Sequence, residues 1–180
     1  MLELLGSSGC EVGVCVSAAG AQVLAAELYS DEELPPTDAL ARFGAQFAGG
    51  VRFFAPSDFN APYASGSAKV DGYVICPCSM ATAGTIATGA GSNLIHRAAT
   101  VALKEERKLV LVPRETPLSL PHLEALLKLR RAGATILFAA PAFYQRPTSI
   151  ADLVDTVVAR VLDQLGIEHQ LGRRWGQERS

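Results

Sequence analysis

Five short runs of Val, Ile, Leu and Phe alternate with helical patterns along this chain, and they constrain its fold more than any other feature. Several runs are continuously apolar rather than alternating in polarity, which is typical of strands covered on both faces of a parallel sheet. The alternation of strands with helices therefore predicts an α/β protein with a doubly wound parallel sheet. The five predicted strands span residues 11–16, 51–54, 72–76, 109–112 and 134–138.

Helices are predicted at residues 18–28, from Thr82 into Glu105, at residues 120–131 and at residues 150–165. The last helix has clear ends, because Ser149 is a favoured N-cap, Asp152 follows three positions later, and Gly166 follows the final apolar residue. Its apolar residues recur at the 3.6-residue spacing of an amphipathic helix. A chain of 180 residues can bury a full core. We therefore expect a single domain over residues 1–180.

Charge and hydropathy exclude several classes of partner. The net charge of −2 gives no reason to expect a nucleic acid or an anionic membrane. No apolar run reaches the roughly 18 residues that a membrane-spanning helix needs. The start at Met1 lacks the basic residues of a secretory leader. These features predict a cytoplasmic protein.

The cysteine and histidine residues form no metal-binding pattern, since none of them has the spacing of zinc ligands. Free cysteines are often buried, so we expect reduced, buried thiols and no bound metal. We expect the three histidines to lie on helix surfaces. The residues concerned are Cys10, Cys15, Cys76, Cys78, His96, His122 and His169.

Charged residues on both sides of the fourth strand are the strongest candidates for a binding site. Arg97 and Lys104 lie seven positions apart, and so share one face of a predicted helix. Arg114 and Glu115 follow the carboxyl end of the next strand, where parallel sheets bind ligands. Cations beside a carboxylate suit a phosphorylated ligand whose reaction also needs a proton transfer. The alternative is a solvated helix end, which fits residues 105–108 best.

Other candidates each allow two interpretations. Ser79 follows the third strand and either caps a helix or helps to bind an anion. Tyr144 follows the last strand and either packs or binds a ligand. Arg160 lies beside an apolar helix stripe, where a cation either extends to solvent or meets an anion, and its alternative role is to complement the helix C-terminus. Glu27 is either a site carboxylate or a helix-surface residue.

Eight motifs stand in a specific order, and together they closely resemble the flavin prenyltransferase family of UbiX type from about residue 11 onward. The resemblance implies a flavodoxin-like or Rossmann-like fold in a high-order homo-oligomer. It also implies metal-independent transfer of a dimethylallyl group from dimethylallyl phosphate to N5 and C6 of reduced FMN. The prenylated FMN would serve a separate UbiD-type decarboxylase. The motifs are Ala64-Ser-Gly-Ser67, Pro77-Cys-Ser-Met80, Asn93-Leu-Ile-His-Arg-Ala-Ala99, Leu103-Lys-Glu105, Arg114-Glu-Thr-Pro-Leu118, Pro141-Ala-Phe-Tyr144, Arg160-Val-Leu-Asp163 and Arg174-Trp175.

The resemblance also implies roles for individual residues. Glu115 would handle the proton lost from C6 or assist the leaving phosphate, and Glu27 would be a second carboxylate near the site. Arg97 would support the flavin or phosphate region. The prenyl phosphate would be held by Lys104, which also counts as catalytic, and by Arg114, Tyr144 and Arg160. The flavin would be lined by Ser17, Ser79, Met80 and Thr82 and closed over by Trp175.

The N-terminus departs from the family pattern. Residues 11–16 match the family's second strand, so we expect the first strand and its Gly-rich, Ser-containing FMN loop to be missing. Gly6-Ser-Ser-Gly9 is interpreted as a turn from a helix into the strand that follows. Since that loop would supply backbone N–H donors to the FMN phosphate, we expect this form to bind FMN weakly or not at all. A longer form is expected to bind it well.

Two other functions remain open. A flavin-dependent cysteine decarboxylase of the same fold would rely on a catalytic His and an Asn-rich motif, whereas this chain has Arg-Glu-Thr-Pro at 114–117 and Ala-Phe-Tyr at 142–144. A non-catalytic flavin-binding subunit is the second alternative. Analysis of the flavin mass after incubation with reduced FMN and dimethylallyl phosphate would separate the three.

Overall fold

The computed structural model describes residues 1–47 and 50–172, apart from the side chain of Gln145, and these residues form two compact units. The first unit comprises Met1–Ala68 and Ser92–Ala98, and the second comprises Lys69–Gly91 and the chain from Ala99 onward. The strands of each unit run parallel to one another, so the α/β class is confirmed. The expectation of one domain over residues 1–180 stays a prediction.

Helices and strands alternate along the chain. The helices are α1 (Leu2–Ser7), α2 (Ala18–Val23), α3 (Pro36–Gly44), α4 (Met80–Ala87), α5 (Leu94–Lys104), α6 (Leu120–Arg131) and α7 (Ile150–Leu165). A π-helical turn, Leu24–Leu28, continues α2, and short 3-10 turns lie at Pro62–Ala64 and Phe143–Gln145. The strands are β1 (Val12–Cys15), β2 (Val51–Phe54), β3 (Gly72–Cys78), β4 (Lys108–Pro113) and β5 (Thr135–Ile136).

The first unit is built around the parallel pair β1–β2. Gly13 of β1 lies beneath the ring of Tyr63, and a Cβ at this position would overlap that ring. The Tyr63 ring packs edge-on against Phe54 of β2, with 5.4 Å between the ring centroids. A glycine is therefore needed in β1, because the aromatic ring occupies the space of a side chain.

The second unit contains the parallel sheet β3–β4–β5, with β4 in the centre. The five residues Leu109–Pro113 of β4 are all almost fully buried. Successive side chains of a strand point to opposite faces, so both faces of β4 are covered. Helix α7 packs against β4, α6 contacts β5, and α4 packs on α6. The carboxyl end of β4 is thus the end of a buried central strand, which is where parallel sheets bind ligands.

Helix α7 begins and ends where the sequence predicts. The Asp152 backbone N–H donates to Ser149 Oγ at 3.1 Å, and the Ser149 N–H donates to Asp152 Oδ2 at 3.1 Å. Gly166 ends the helix with a φ of 79°. Lys108 Nζ donates to the Leu165 carbonyl at 2.8 Å, so a side chain from the start of β4 caps the last turn.

The capping carboxylate of α7 predicts a pH-dependent stability. Hydrogen bonds from the Thr148 backbone N–H, then from the Ser149 and Thr148 side chains, lower the pKa of Asp152 to about 2 from 3.8. A lowered folded-state pKa stabilises the fold above pH 3.8, and this contribution is lost as pH falls toward 2. Wild type should therefore unfold at a higher temperature than Asp152→Asn at pH 7, and the difference should shrink below about pH 4. Thermal unfolding by circular dichroism tests this, with Asp155→Asn as the matched control. A difference that stays constant with pH would contradict it.

Two predictions of secondary structure are corrected, and one helix was missed. The helix predicted from Thr82 into Glu105 is two helices, since Gly89 has a φ of 72° and α5 begins only at Leu94. The predicted strand at residues 134–138 is reduced to β5, because only two residues pair regularly with β4. Helix α3 was not predicted, although Pro36 in its first turn and Asp38 after it are recognised start signals.

The expectation of buried cysteines is only partly met. Cys78 is buried, Cys10 and Cys15 are partly buried, and Cys76 is exposed. All four thiols are free, in agreement with the predicted reduced state. Burial raises the pKa of Cys15 and Cys78 to about 11, so neither is ionised near neutral pH. In the parts of the chain that the structure describes, no helix has the length and apolar character needed to cross a bilayer.

Candidate active site

An open cleft lies at the carboxyl end of β4 and contains the Arg-Glu pair singled out in the sequence. The segment after β5 forms its second wall, because the Ala139 backbone N–H donates to the Pro113 carbonyl at 2.9 Å. The sheet pairing thus brings residues from two loops together at one edge. The cleft has a volume of about 360 Å³ and is lined by Pro113, Arg114, Glu115, Thr116, Phe138, Ala139 and Ala140.

Arg114 and Glu115 are exposed on this cleft. Neither side chain has an ion-pair or hydrogen-bond partner among residues 1–47 and 50–172. A guanidinium without a protein partner can bind an anion through two parallel N–H groups. A carboxylate next to it can accept a proton from a group bound in the same cleft. The pair can therefore combine anion binding with proton transfer.

The turn from β3 into α4 is shaped by Ser79. Its Oγ accepts from the Thr82 backbone N–H at 3.2 Å and donates to Thr82 Oγ1 at 3.0 Å, so Ser79 caps the helix. Met80 is only 5% exposed. The flavin contacts of Ser79, Met80 and Thr82 stay predictions.

Lys104 lies far from Arg114 within one chain. It ends α5, and its ammonium pairs with the Glu105 carboxylate at 2.7 Å, which lowers the pKa of Glu105. Lys104 lies beyond the amino end of β4 and Arg114 beyond its carboxyl end. At about 3.3 Å per residue, the strand separates them by roughly 20 Å. The lysine side chain is also 50% exposed.

Arg160 lines a second open cleft of about 300 Å³ between β5 and α7. This cleft shares Phe138 and Ala140 with the cleft at Arg114, so the two adjoin. The Arg160 side chain is 65% exposed and pairs with Asp163 at 3.0 Å. The largely solvated side chain agrees with a cation that extends to solvent from beside the apolar stripe. Binding of a ligand anion by Arg160 stays a prediction.

Tyr144 lies in the 3-10 turn after β5 and is 69% exposed. The turn is attached to α7 by Thr156, a buried polar residue that the sequence analysis did not identify. Thr156 Oγ1 accepts from the Ala142 N–H at 3.1 Å and donates to the Leu153 carbonyl at 2.7 Å. The signal that could have found it is a hydroxyl within the apolar stripe of α7, where a polar group needs a partner.

The first unit holds three of the predicted site residues. Ser17 Oγ accepts from the Gly20 N–H at 3.0 Å and caps α2. Glu27 is exposed in the π-helical turn. Arg97 shares α5 with Lys104, as predicted, and its Nε donates to the Ala64 carbonyl at 2.9 Å. The contacts and exposure of these three residues neither support nor exclude the roles predicted for them. Trp175 lies outside the described residues.

His169 does not lie where the sequence predicts. It is not on a helix surface, because its side chain is only 4% exposed and its Nε2 lies 3.2 Å from Asp163 Oδ1. Gly166 turns the chain back after α7, and this turn brings His169 beside a residue six positions earlier. No sequence spacing could have indicated the contact, since it depends on the path of the chain after the helix.

Comparison with known proteins identifies the family. The family model described as Flavoprotein matches residues 1–162. A protein named flavin prenyltransferase UbiX from Halalkalibacterium halodurans is 48% identical over 181 residues, which cover 99% of this chain and 86% of that protein. Both matches extend over nearly the whole sequence rather than a single motif.

Two solved structures have the same fold. AnUbiX (PadA1), in complex with FMN and dimethylallyl pyrophosphate, is 35% identical with a TM-score of 0.72, over 93% of this chain and 97% of that one. A dodecameric FMN-dependent UbiX-like decarboxylase from Escherichia coli O157:H7 is 37% identical with a TM-score of 0.73, over 92% and 99%. The family expected from the motifs is thereby confirmed: the chain belongs to the flavoprotein family and, within it, to the flavin prenyltransferases of UbiX type.

Proposed function

We propose that this protein is a flavin prenyltransferase, which joins the dimethylallyl group of a dimethylallyl phosphate ester to N5 and C6 of reduced FMN. The observation that carries the proposal is the pair Arg114 and Glu115, without protein partners, in the cleft at the carboxyl end of β4. The similarity to relatives that bear this name supports the same reaction.

The residues at the start of α4 fit a bound flavin, and the expectation of weak FMN binding without the Gly-rich loop stays a prediction. The first turn of α4 follows a strand of the parallel sheet, and the Ser79 and Thr82 hydroxyls lie at this turn. The backbone N–H groups of Met80 and Ala81 have no hydrogen-bond partner among the described residues, so they can donate to a polar edge of a ligand. When bound and reduced, FMN supplies the nitrogen and the ring carbon that form bonds to the prenyl group.

The cations of the chain would promote departure of the phosphate. As the allylic carbon–oxygen bond breaks, negative charge builds on the leaving group, and fixed guanidinium and ammonium groups stabilise that charge. Arg114, Lys104 and Arg160 are suited to this role, and the Tyr144 hydroxyl can donate a further hydrogen bond. Breaking the carbon–oxygen bond to phosphate accounts for the bond to N5. The bond to C6 uses the double bond of the prenyl group, which takes up one proton while C6 loses one, and Glu115 is the carboxylate placed to accept the proton from C6.

Lys104 does not converge with the other two cations within one chain. It lies at the opposite end of β4 from Arg114, whereas Arg160 lines the cleft that adjoins Arg114. We therefore propose that the protein forms a high-order homo-oligomer in which a second copy completes the phosphate site. A similar protein of known structure is dodecameric, which supports such an assembly.

We further propose that the prenylated FMN serves a UbiD-type decarboxylase, as the family resemblance implies. The test is to add the reaction product to such a decarboxylase prepared without cofactor. Decarboxylation that appears only with the product supports the partner, and no activity at saturating product excludes it for that decarboxylase.

The function itself is tested by flavin mass. The protein is incubated without oxygen with reduced FMN and either dimethylallyl monophosphate or dimethylallyl diphosphate, and the flavin is analysed by mass spectrometry. A gain of one isoprene unit, dependent on donor and protein, is expected with at least one ester. Unchanged flavin with both esters would contradict the proposal, and decarboxylation of a peptide that ends in cysteine would favour the cysteine decarboxylase alternative.

A further inference from the structure

The last turns of α7 and the segment after it hold a chain of three polar side chains. Arg160 NH1 donates to Asp163 Oδ2 at 3.0 Å. The other carboxylate oxygen, Asp163 Oδ1, lies 3.2 Å from His169 Nε2. The exposed fraction falls from one side chain to the next, from 65% for Arg160 to 25% for Asp163 and 4% for His169. A solvated cation is thus connected through a carboxylate to a buried ring.

The orientation of His169 is set by the backbone. The Leu171 N–H donates to His169 Nδ1 at 3.1 Å, so Nδ1 is an acceptor and the ring proton belongs on Nε2. That proton points to Asp163. The segment itself is held to α7, because the Ile167 N–H donates to the Leu162 carbonyl at 3.0 Å. The ring therefore has a fixed place and a fixed role as a donor to the carboxylate.

This arrangement leaves part of the Arg160 guanidinium available. Asp163 binds NH1, while Nε and NH2 have no hydrogen-bond partner among residues 1–47 and 50–172. Those groups belong to a side chain that lines the cleft between β5 and α7. An exposed ion pair three positions apart on a helix contributes little to stability. Stability therefore does not explain why the buried His169 is bonded to the carboxylate of this pair. Fixing a flexible arginine in one rotamer reduces the entropy lost when it binds an anion.

We propose that Asp163 and His169 are positioning residues, which hold the guanidinium of Arg160 ready for the phosphate of the prenyl donor. The proposal rests on the proposed function, in which Arg160 contacts that phosphate. Neither residue touches the donor. Asp163 fixes one side of the guanidinium and leaves the other side for the ligand, and His169 fixes Asp163, as hydrogen-bonded supports do for other ligand-binding side chains.

The test is a double-mutant cycle between Arg160→Ala and Asp163→Asn in the complete protein with FMN. Asp163→Asn alone should raise the KM for dimethylallyl phosphate about fivefold to twentyfold and should also lower kcat, because Arg160 stabilises the departing phosphate, while FMN affinity changes less than about twofold. In the Arg160→Ala background it should have no further effect on KM. An equal effect in both backgrounds, or an unchanged KM in the single variant, would overturn the positioning role.

Conservative replacement of His169 gives a second, independent readout. His169→Gln keeps an amide N–H at the position of Nε2 and should retain a KM close to wild type, whereas His169→Ala should match Asp163→Asn. If both variants behave alike, whether impaired or not, the hydrogen bond from His169 has no positioning role. Thermal unfolding of each variant identifies a general loss of structure, which would weaken FMN binding as well as raise the KM for dimethylallyl phosphate.

Failure of the proposed function can be told apart from failure of this inference. Wild-type transfer with reduced FMN is measured first and decides the function alone. Binding of inorganic phosphate is then measured by titration calorimetry, which needs no turnover. The positioning role is supported if Asp163→Asn binds phosphate more weakly than wild type, and if the same substitution does not weaken phosphate binding further in the Arg160→Ala background. This holds even if wild type transfers no prenyl group. Equal phosphate affinity in wild type and Asp163→Asn overturns it.

Discussion

Replacement of Glu115 by glutamine is expected to lower the rate of prenylated FMN formation by about 10²- to 10⁴-fold, the usual contribution of a positioned acid or base. Glutamine keeps the size and hydrogen-bonding capacity of the side chain but cannot take up the proton that leaves C6. Glu115 lies on the surface of the cleft and has no partner among the described residues, so the substitution should leave the fold unchanged.

The measurement is a time course of flavin mass with reduced FMN and dimethylallyl phosphate, together with the affinity for FMN. Flavin affinity should be unchanged, because the defect lies in proton transfer rather than binding. Glu124→Gln is the matched control, since Glu124 is an exposed carboxylate on α6 away from the cleft. A Glu115→Gln protein that forms product at the wild-type rate would remove the proton-accepting role from this residue.

Lys104→Ala and Arg114→Ala are each expected to abolish nearly all prenyl transfer alone, and to regain part of it when the two variant chains share one oligomer. Each variant loses a charge-assisted contact to phosphate, which costs on the order of 1.5–3 kcal/mol, and also loses stabilisation of the departing charge. The Lys104–Glu105 pair is exposed, so its loss should change stability little.

The recovery follows from the position of the two residues at opposite ends of β4. If one copy supplies Lys104 and another supplies Arg114, random mixing leaves about one quarter of the sites with both residues intact. The variants are co-expressed with different tags, and mixed oligomers are purified through both tags and assayed. Oligomers of a single variant carrying both tags are the control. Failure of the mixed oligomers to exceed that control would show that both cations act from the same chain.

The sequence by itself determined the features that depend on local interactions. The bounds of α6 and α7 were predicted correctly, because the apolar spacing of a helix, and for α7 the caps Ser149 and Gly166, are local signals. The strand Val51–Phe54 was also predicted with its observed bounds. The order of elements gave the α/β class, and the combined motifs gave the family, since both are properties of residue order along the chain.

Only the tertiary structure decided which of the candidate residues lie together. The sequence placed Lys104 and Arg114 ten residues apart, but the strand between them puts them at opposite ends of β4, and only the direction of the strand reveals this. The loops of Arg114 and Phe138 meet because β4 and β5 pair. His169 contacts Asp163 because the chain reverses after Gly166. Contacts between segments depend on the path of the backbone through space, so local sequence patterns carry no direct signal for them.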